Sequence, residues 1–302
     1  MKDCSTSAAA LATLAATAGS GEAVDGTPFL CVTCGTQFPE SARPPDRCAI
    51  CDDERQYVTP AGQSWTTLDT LGKRYMNAIR ELEPGLISIT TQPAFGINQR
   101  AQLLRTPHGN ILWDCIALID RATIEMIKAM GGIKGIAISH PHYYTTMIEW
   151  SEALGGVPIH LHQADRKWIM RDGPAIKLWQ GETKELLPGL TLICAGGHYP
   201  GGTVLHWAEG CGGKGALLSG DIVQVVQDGT ASFMWSFPNF IPLSAPRVEG
   251  VVNAIKPYKF DRVHGAFTDR SIWSDGKGVV ERSAERYLKI IRGDGSYELT
   301  GP

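Results

Sequence analysis

The chain has 302 residues, of which 43% are hydrophobic and 20% are charged, a balance typical of a folded globular protein. Its formal net charge of −3 gives no overall field that attracts nucleic acid or an anionic membrane surface, so neither is expected as a partner. The sequence has no apolar run long enough for a transmembrane helix.

Residues 1–28 are rich in alanine, threonine, serine and glycine, and this composition predicts a disordered leader. A signal peptide is disfavoured because the only basic residue near the start, Lys2, is followed at once by Asp3. A cleaved transit peptide is the alternative left open. We expect a cytoplasmic protein whose remaining scattered cysteines are small buried hydrophobic residues in a reducing compartment.

Two Cys-x-x-Cys pairs, Cys31/Cys34 and Cys48/Cys51, are separated by a short loop. Each pair can place two thiolates on one ion, so the spacing predicts a Cys4 metal site. Residues 29–60 then form a zinc-ribbon-like module, which is too small for a core of its own and takes its folding energy from the metal. The module also resembles the rubredoxin-like modules of redox proteins, which carry iron, so the choice between zinc and iron stays open.

Residues 61–302 are expected to form the main domain. The apolar stripe over residues 66–83 predicts an amphipathic helix ended by Pro84-Gly85, followed by a strand at 86–90. Strands at 100–105 and 110–115 flank a hairpin turn, and Asp120 is a helix N-cap.

Strand and helix patterns continue to alternate through the rest of the chain, which predicts two sheets covered by helices on their outer sides. The expected elements are a strand at 135–139, a helix from Thr145 or Thr146, a strand at 157–161, a helix at 164–171, strands at 190–194, 203–208, 215–219 and 260–265, and helices at 246–256 and 278–292.

Four loops at predicted strand ends carry residues of the types that bind metals. In chain order these residues are His140 with His142, His198, Asp221 and His264. Each lies beside glycine or at a strand terminus, where the backbone can fold around an ion. Imidazoles in such loops typically bind a metal through a neutral nitrogen.

This series of loops resembles the metallo-β-lactamase-fold superfamily. Residues 140–145 match part of its His-x-His-x-Asp-His loop, and residues 197–201 (Gly-His-Tyr-Pro-Gly) are similar to its Gly-His-Thr-Pro-Gly loop. Residues 218–221 are similar to the strand that ends in a bridging aspartate, and residues 263–265 to the final histidine loop. The resemblance covers about residues 85–270. It implies an α/β (α+β) protein with an αββα sandwich and a metal cleft at the sheet edge.

The chain departs from the superfamily at two positions. Tyr144 stands where the superfamily loop has aspartate, and Thr145 stands where it has the histidine of the second metal site. The first site keeps His140, His142 and His198 with Asp221 beside them, whereas the second keeps only Asp221 and His264. Two protein ligands are few for tight zinc binding, so one zinc ion is expected in the cleft, with two as the alternative.

The resemblance implies a hydrolase, since members mostly cleave esters, thioesters, lactams, lactones or phosphodiesters. We expect a mononuclear zinc enzyme that directs a metal-bound hydroxide at an ester, thioester, lactone or amide-type bond of a small molecule. Asp221 would ligate the metal or orient the water, Tyr144 or Tyr143 would stabilise the oxyanion, and His264 would act as an orienting group or general acid.

Two alternatives to a hydrolase stay open at the level of the sequence. A few superfamily members are iron-dependent oxidoreductases, and a rubredoxin-like module would fit an electron-transfer role. The lost ligands of the second site also fit a non-catalytic binding protein on a decayed enzyme fold. Nuclease activity is disfavoured by the acidic charge balance. The oligomeric state and the substrate cannot be read from the sequence.

An aromatic stretch from Phe233 to Phe240 follows Asp221. It suits either the packed core or a wall over the metal cleft, and the second option implies an apolar or aromatic substrate. His160, His162 and Asp114 are expected to have structural roles.

Overall fold

The computed structural model describes residues 26–294. Of the predicted leader, residues 1–25 therefore lie outside the described residues. Within residues 26–294, no helix combines the length and the apolar character needed to cross a membrane.

The Cys4 module is built on a small antiparallel sheet. Its strands are β1 (Thr27–Cys31), β2 (Gln37–Ser41) and β3 (Trp65–Thr66), in the order β2-β1-β3. Leu30, Ile50 and the four cysteines are almost fully buried. The cysteines therefore form the centre of the module, and Phe38, Ile50 and Trp65 pack around them.

The first sheet of the main domain has seven strands in the order β10-β9-β8-β7-β6-β5-β4. The strands are β4 (Met76–Glu83), β5 (Leu86–Gln92), β6 (Ala101–Thr106), β7 (Gly109–Trp113), β8 (Gly135–Ala137), β9 (Ile159–His162) and β10 (Ile176–Trp179). Strands β4 to β7 are antiparallel, and β7 to β10 are parallel. The parallel strands β7 to β10 all end at the same edge of the sheet, and the loop that carries His140 and His142 follows β8 at this edge.

The second sheet has six strands in the order β11-β12-β13-β14-β19-β20. The strands are β11 (Thr183–Leu187), β12 (Leu190–Cys194), β13 (Thr203–Trp207), β14 (Ala216–Gly220), β19 (Arg262–Gly265) and β20 (Ser271–Ile272). Between β14 and β19 lie two short hairpins, formed by β15 (Gln224–Val225) with β16 (Ala231–Ser232) and by β17 (Met234–Ser236) with β18 (Ile241–Pro242).

Helix α1 (Leu68–Gly72) packs through Leu71 against Leu30 of the Cys4 module. The outer faces of the two sheets are covered by α2 (Arg121–Ala129), α3 (Met147–Ala153), α4 (Ala245–Ile255) and α5 (Gly276–Ile291). Apolar residues of α2 and α3 pack on the first sheet, and those of α4 and α5 pack on the second. A third apolar layer, which includes Leu104, Leu205 and Leu218, fills the space between the sheets. The predicted αββα sandwich preceded by a Cys4 cluster is therefore confirmed.

The prediction of one helix over residues 66–83 is wrong. The structure has only the short helix α1 there, followed by β4, which pairs with β5 along its length. Pro84-Gly85 forms the two-residue turn between these strands, and the φ of +87° at Gly85 is the conformation that glycine adopts most readily. The apolar residues of this segment are spaced as in an amphipathic helix. The segment nevertheless forms a strand, because its backbone groups hydrogen-bond to those of β5.

Other elements agree with the sequence or differ in detail. The hairpin of β6 with β7 and the N-cap of α2 are confirmed, since the Asp120 carboxylate accepts a hydrogen bond from the Thr123 N–H at 2.7 Å. The helix predicted at residues 164–171 is a 3-10 helix at Gln163–Trp168. Strands β10 and β11 were not predicted, because runs of four and five residues are too short for their apolar spacing to identify a strand.

Candidate metal centres

The predicted metal-binding loops meet at one edge of the sandwich. His140 and His142 follow β8 of the first sheet, whereas His198 and Asp221 follow β12 and β14 of the second. One ligand atom of each of these four residues lies within 4.8 Å of the others, and all four residues are buried. Three imidazoles and one carboxylate thus converge at a single point between the sheets.

Local hydrogen bonds set the direction of the histidine loop. Asp114, at the end of β7 with a φ of +58°, accepts the backbone N–H of Ser139 at 2.7 Å. A 3-10 turn at Pro141–Tyr143 then carries His142 round to face the second sheet. Gly220 approaches Ser139 so closely that a Cβ on Gly220 would lie 2.7 Å from the Ser139 Oγ. The structural role predicted for Asp114 is therefore the positioning of the loop that carries His140.

Two pairs of donor atoms face each other inside the group. His140 Nε2 lies 3.3 Å from Asp221 Oδ1, and His142 Nδ1 lies 3.2 Å from His198 Nε2. Within the described part of the chain, His140 Nε2 and Asp221 Oδ1 are buried atoms that lack a hydrogen-bond partner. Such atoms are costly in a folded protein unless something binds them. The residues present therefore fit a metal ion.

In three of the four ligand side chains, the polar atom that points away from the centre of the group contacts a neighbouring hydroxyl. Ser139 Oγ lies 2.9 Å from His140 Nδ1, and the Tyr199 hydroxyl lies 3.0 Å from His142 Nε2. The Tyr143 hydroxyl donates to Asp221 Oδ2 at 2.9 Å. Outer hydrogen bonds of this kind fix the orientation of metal ligands. The inward atoms are His140 Nε2, His142 Nδ1, His198 Nε2 and Asp221 Oδ1.

Burial keeps the three imidazoles neutral. It lowers the pKa of His140 and of His142 well below the usual range, and the charges of neighbouring histidines and of Arg55 act in the same direction. Burial, followed by the charge of Arg55, lowers the pKa of His198 to about 3. The neutral form is the one that binds metals. Burial also raises the pKa of Asp221 to about 7, and a cation in the group would oppose that shift.

Replacing Tyr143 with phenylalanine is expected to weaken metal binding in the cleft by about 10–100-fold, the usual cost of removing an outer hydrogen bond to a ligand. The phenol donates to Asp221 Oδ2 from a fully buried position, so the variant keeps the ring and loses only this bond. Competition for zinc with a chromogenic chelator measures the affinity. The matched control is Tyr57→Phe, which alters a side chain that is 44% exposed. Equal affinities in Tyr143→Phe and wild type would contradict this role.

The structure does not bring His264 into the group of four. Its Nε2 lies 2.7 Å from the Glu83 carboxylate, and its Nδ1 lies 3.1 Å from Ser271 Oγ. Glu83 also accepts hydrogen bonds from Arg262 at 2.7 Å and from the Cys211 N–H at 2.9 Å. With both ring nitrogens engaged, His264 joins β19 to β4 rather than offering an atom to the metal.

The two positions that depart from the superfamily pattern are both buried, and the Thr145 carbonyl accepts the Gln37 N–H of the Cys4 module at 3.3 Å. The Tyr144 side chain is 4% exposed, and burial raises the pKa of its phenol well above the usual range. Thr145 has a φ of +37°, and its buried hydroxyl lacks a partner among the described residues. Tyr143 rather than Tyr144 is the tyrosine that contacts Asp221. The catalytic roles expected of Tyr144, Asp221 and His264 remain predictions.

The second candidate centre is the cysteine cluster. Cys31 Sγ lies 3.5 Å from Cys51 Sγ, and Cys34 Sγ lies 3.6 Å from Cys48 Sγ. Four sulfurs around one zinc ion would be about 3.8 Å apart, given zinc–sulfur bonds of about 2.3 Å in a tetrahedron. The spacing and the chemistry of these four thiols fit a tetrahedral metal ion.

The Cys4 module packs beside the histidine cluster through the loop at Glu54–Gln56. Ser236 Oγ donates to the Arg55 carbonyl at 3.2 Å, and the Asn239 amide donates to the carbonyls of Glu54 and Gln56 at 3.1 and 2.9 Å. The Trp235 indole N–H donates to Glu54 Oε1 at 2.8 Å. The module therefore packs on the β17–β18 hairpin, whose Phe237 lies beside His198, and Arg55 lies over the Tyr199 ring.

The aromatic residues from Phe233 to Phe240 include both residues of the packed core and residues beside the metal site. Phe233 is fully buried and packs against Tyr287 in the core of the second sheet. The Phe237 ring centre lies 5.7 Å from that of His198, and Trp235 lies beside Arg55. Trp235 and Phe237 thus form an aromatic wall at the metal site.

Sequence reasoning gave no role to Arg55, Glu83 or Tyr199. Tyr199 lies within the quoted Gly-His-Tyr-Pro-Gly loop, so its position next to His198 was a usable signal. The contact of Glu83 with His264 was missed because the sequence prediction has residue 83 at the end of a helix, whereas it ends strand β4. Arg55 had no signal, because it reaches the cleft only through the packing of a separate module.

Comparison with known proteins shows one close sequence relationship. The chain is 44% identical over 269 residues to the uncharacterized protein YmaE of Bacillus subtilis (strain 168), covering 88% of this chain and 97% of YmaE. No protein-family model matches the chain.

Solved structures with the same fold are metallo-β-lactamases of low sequence identity. DIM-1 metallo-β-lactamase has a TM-score of 0.54 at 12% identity, covering 72% of this chain and 98% of DIM-1. The mono-zinc form of FIM-1 from Pseudomonas aeruginosa has a TM-score of 0.53 at 14% identity, covering 71% of this chain and 96% of FIM-1. The chain therefore has the metallo-β-lactamase fold and belongs to the same family as YmaE.

Proposed function

We propose that the protein is a metal-dependent hydrolase with one zinc ion in the cleft, acting on an ester, thioester, lactone or amide-type bond of a small molecule. The observation that carries this proposal is the convergence of four buried ligand atoms from His140, His142, His198 and Asp221 within 4.8 Å. The fold and the mono-zinc form of FIM-1 support it further.

The ion would be held by the imidazoles of His140, His142 and His198, and Asp221 would bind it or orient the attacking water through Oδ1. When bound, zinc supplies a Lewis acid that activates water and polarises a carbonyl group. Tyr143 keeps the Asp221 carboxylate in place. Trp235 and Phe237 exclude bulk water and offer apolar contact to a substrate.

A single ion is favoured because the described residues offer few donors for a second one. Tyr144 and Thr145 replace two ligands of the superfamily pattern, and both nitrogens of His264 have partners in Glu83 and Ser271. Asp221 alone then remains beside the first site. This arrangement supports a mononuclear site over the two-metal alternative.

Removing and restoring the metal tests this function. The purified protein is stripped with a chelator, reloaded with zinc and assayed on a panel of aryl esters, thioesters, lactones and lactams. We expect turnover of at least one acyl class by the reloaded protein, loss on stripping and recovery on reloading, because the histidines alone do not activate water at neutral pH. Failure of the fully loaded protein on the whole panel would contradict the proposal.

A second candidate, an iron-dependent oxidoreductase, is supported by one contact. Trp168 packs against the cysteine cluster, and its ring centre lies 5.7 Å from that of Tyr199, whose hydroxyl contacts His142. Aromatic rings thus connect the two candidate metal centres, and histidine with carboxylate also suits non-haem iron. Metal analysis distinguishes the two functions, since a colourless protein that contains zinc and lacks iron excludes the second.

A further inference from the structure

The side chain of Arg55 extends from the Cys4 module toward the histidine cluster of the main domain. It is only 8% exposed. Its guanidinium carbon lies 4.3 Å from the ring centre of Tyr199 and 4.2 Å from that of Trp235. Tyr199 in turn contacts His142 through its hydroxyl at 3.0 Å. One aromatic ring therefore separates the Arg55 charge from the metal ligands.

The hydrogen bonds of Arg55 leave part of the guanidinium without a partner. Its Nη1 donates to Asp53 Oδ1 at 2.9 Å, which fixes the plane of the group. Its Nε is buried and has no hydrogen-bond partner among residues 26–294. A buried N–H of a charged group is costly to leave unpaired, whereas an anion placed there would pair with it.

Nearby carboxylates do not meet this need. Asp53 is bound to Nη1, and Glu54 accepts from the Trp235 indole at 2.8 Å. Asp165 accepts the Gly201 N–H at 3.0 Å through Oδ1, and its buried Oδ2 has no hydrogen-bond partner among the described residues, so it does not pair with Arg55. The Arg55 guanidinium is thus held by aromatic faces and one carboxylate, and its planar fork of N–H groups is suited to pairing with a further carboxylate or a phosphate.

We propose that Arg55 is the specificity-determining residue of the cleft and binds a negatively charged group of the substrate, an inference that rests on the proposed function. The Cys4 module would then supply the substrate-recognition group, and the sandwich would supply the metal ligands. The substrates are small acyl compounds with an anionic group a few bonds from the scissile carbonyl.

A matched pair of esters tests this assignment. The mono-4-nitrophenyl ester of glutaric acid and 4-nitrophenyl pentanoate differ mainly by a terminal carboxylate. We expect wild type to prefer the anionic ester, and Arg55→Gln to lower kcat/KM for that ester by about 10–100-fold while changing the neutral ester by less than about threefold, as fits a lost hydrogen bond between charged groups. Arg55→Lys should recover part of the loss. Equal losses on both esters would show a merely structural role and overturn the proposal.

A binding measurement keeps the proposal separate from the hydrolase assignment. Isothermal titration of glutarate into the metal-loaded protein should show binding that weakens about tenfold or more in Arg55→Gln, again the expected size for one charged hydrogen bond. Arg43→Gln, which removes the same charge from an exposed position in the same module, is the control. Arg55-dependent glutarate binding without turnover would refute the hydrolase but support the anion site. Absence of glutarate binding by wild type, or equal binding by Arg55→Gln, would overturn the anion site.

Discussion

Replacing His140 with alanine is expected to empty the cleft of its metal and to lower kcat/KM for any acyl substrate by at least about 10²-fold. Loss of an outer partner alone commonly costs 10–100-fold, and His140 supplies a ligand atom itself. His140 Nε2 lies 3.3 Å from Asp221 Oδ1 inside a group of four buried side chains. No other described histidine nitrogen is placed to take over its position.

Metal content per chain, measured together with kinetics on an active substrate, checks this expectation. The variant should lose the cleft ion and retain the ion of the cysteine cluster, which shows that the fold is intact. His108→Ala is the matched control, because His108 lies exposed in the β6–β7 turn and its loss should leave both quantities unchanged. Full metal content and undiminished turnover in His140→Ala would refute the assignment of the cleft as the active site.

Replacing Cys31 and Cys34 together with serine should remove one metal equivalent and unfold the Cys4 module. Structural zinc in small thiolate sites contributes about 10–16 kcal/mol of binding free energy, which in such modules is folding free energy. Ile50 and Phe38 are buried in one cluster with the four cysteines, so their packing depends on the arrangement that the metal holds. The main domain has its own cores and should remain folded.

Limited proteolysis and metal analysis measure this effect. We expect new cleavage sites within residues 29–66 and one fewer bound ion per chain. Cys194→Ser changes a half-buried cysteine outside the cluster and should behave as wild type. Unchanged metal content with unchanged protease resistance in the double variant would contradict a metal-supported module. Because Arg55 belongs to this module, the double variant should also lose the preference for anionic esters.

Features that depend on local spacing could be predicted from the sequence. The two Cys-x-x-Cys pairs and His140-Pro141-His142 each bring their donors together within one turn of chain, so spacing alone indicates a metal site. His198 and Asp221 were found because glycine-rich loops at strand ends mark positions where backbone can fold round an ion. The structure places these four cysteines and four ligands in two separate groups.

Features that depend on packing between distant segments could not be predicted. The segment at Met76–Glu83 has a helical apolar spacing, but its pairing with β5 decides its conformation. Once it is a strand, Glu83 faces His264, and this contact explains why His264 lies outside the metal group. Arg55 likewise enters the cleft only through contacts of its loop with Ser236 and Asn239, far away in the sequence.

The division of ligands between the sheets has a thermodynamic consequence. His140 and His142 leave the first sheet, whereas His198 and Asp221 leave the second, so a bound ion is a cross-link between the two halves of the sandwich. Because the unfolded chain does not hold these atoms together, the ion stabilises the folded state by mass action, by about 2.7 kcal/mol when its free concentration is 100 times the dissociation constant. The resistance of the sandwich to unfolding should therefore follow the availability of metal in its surroundings.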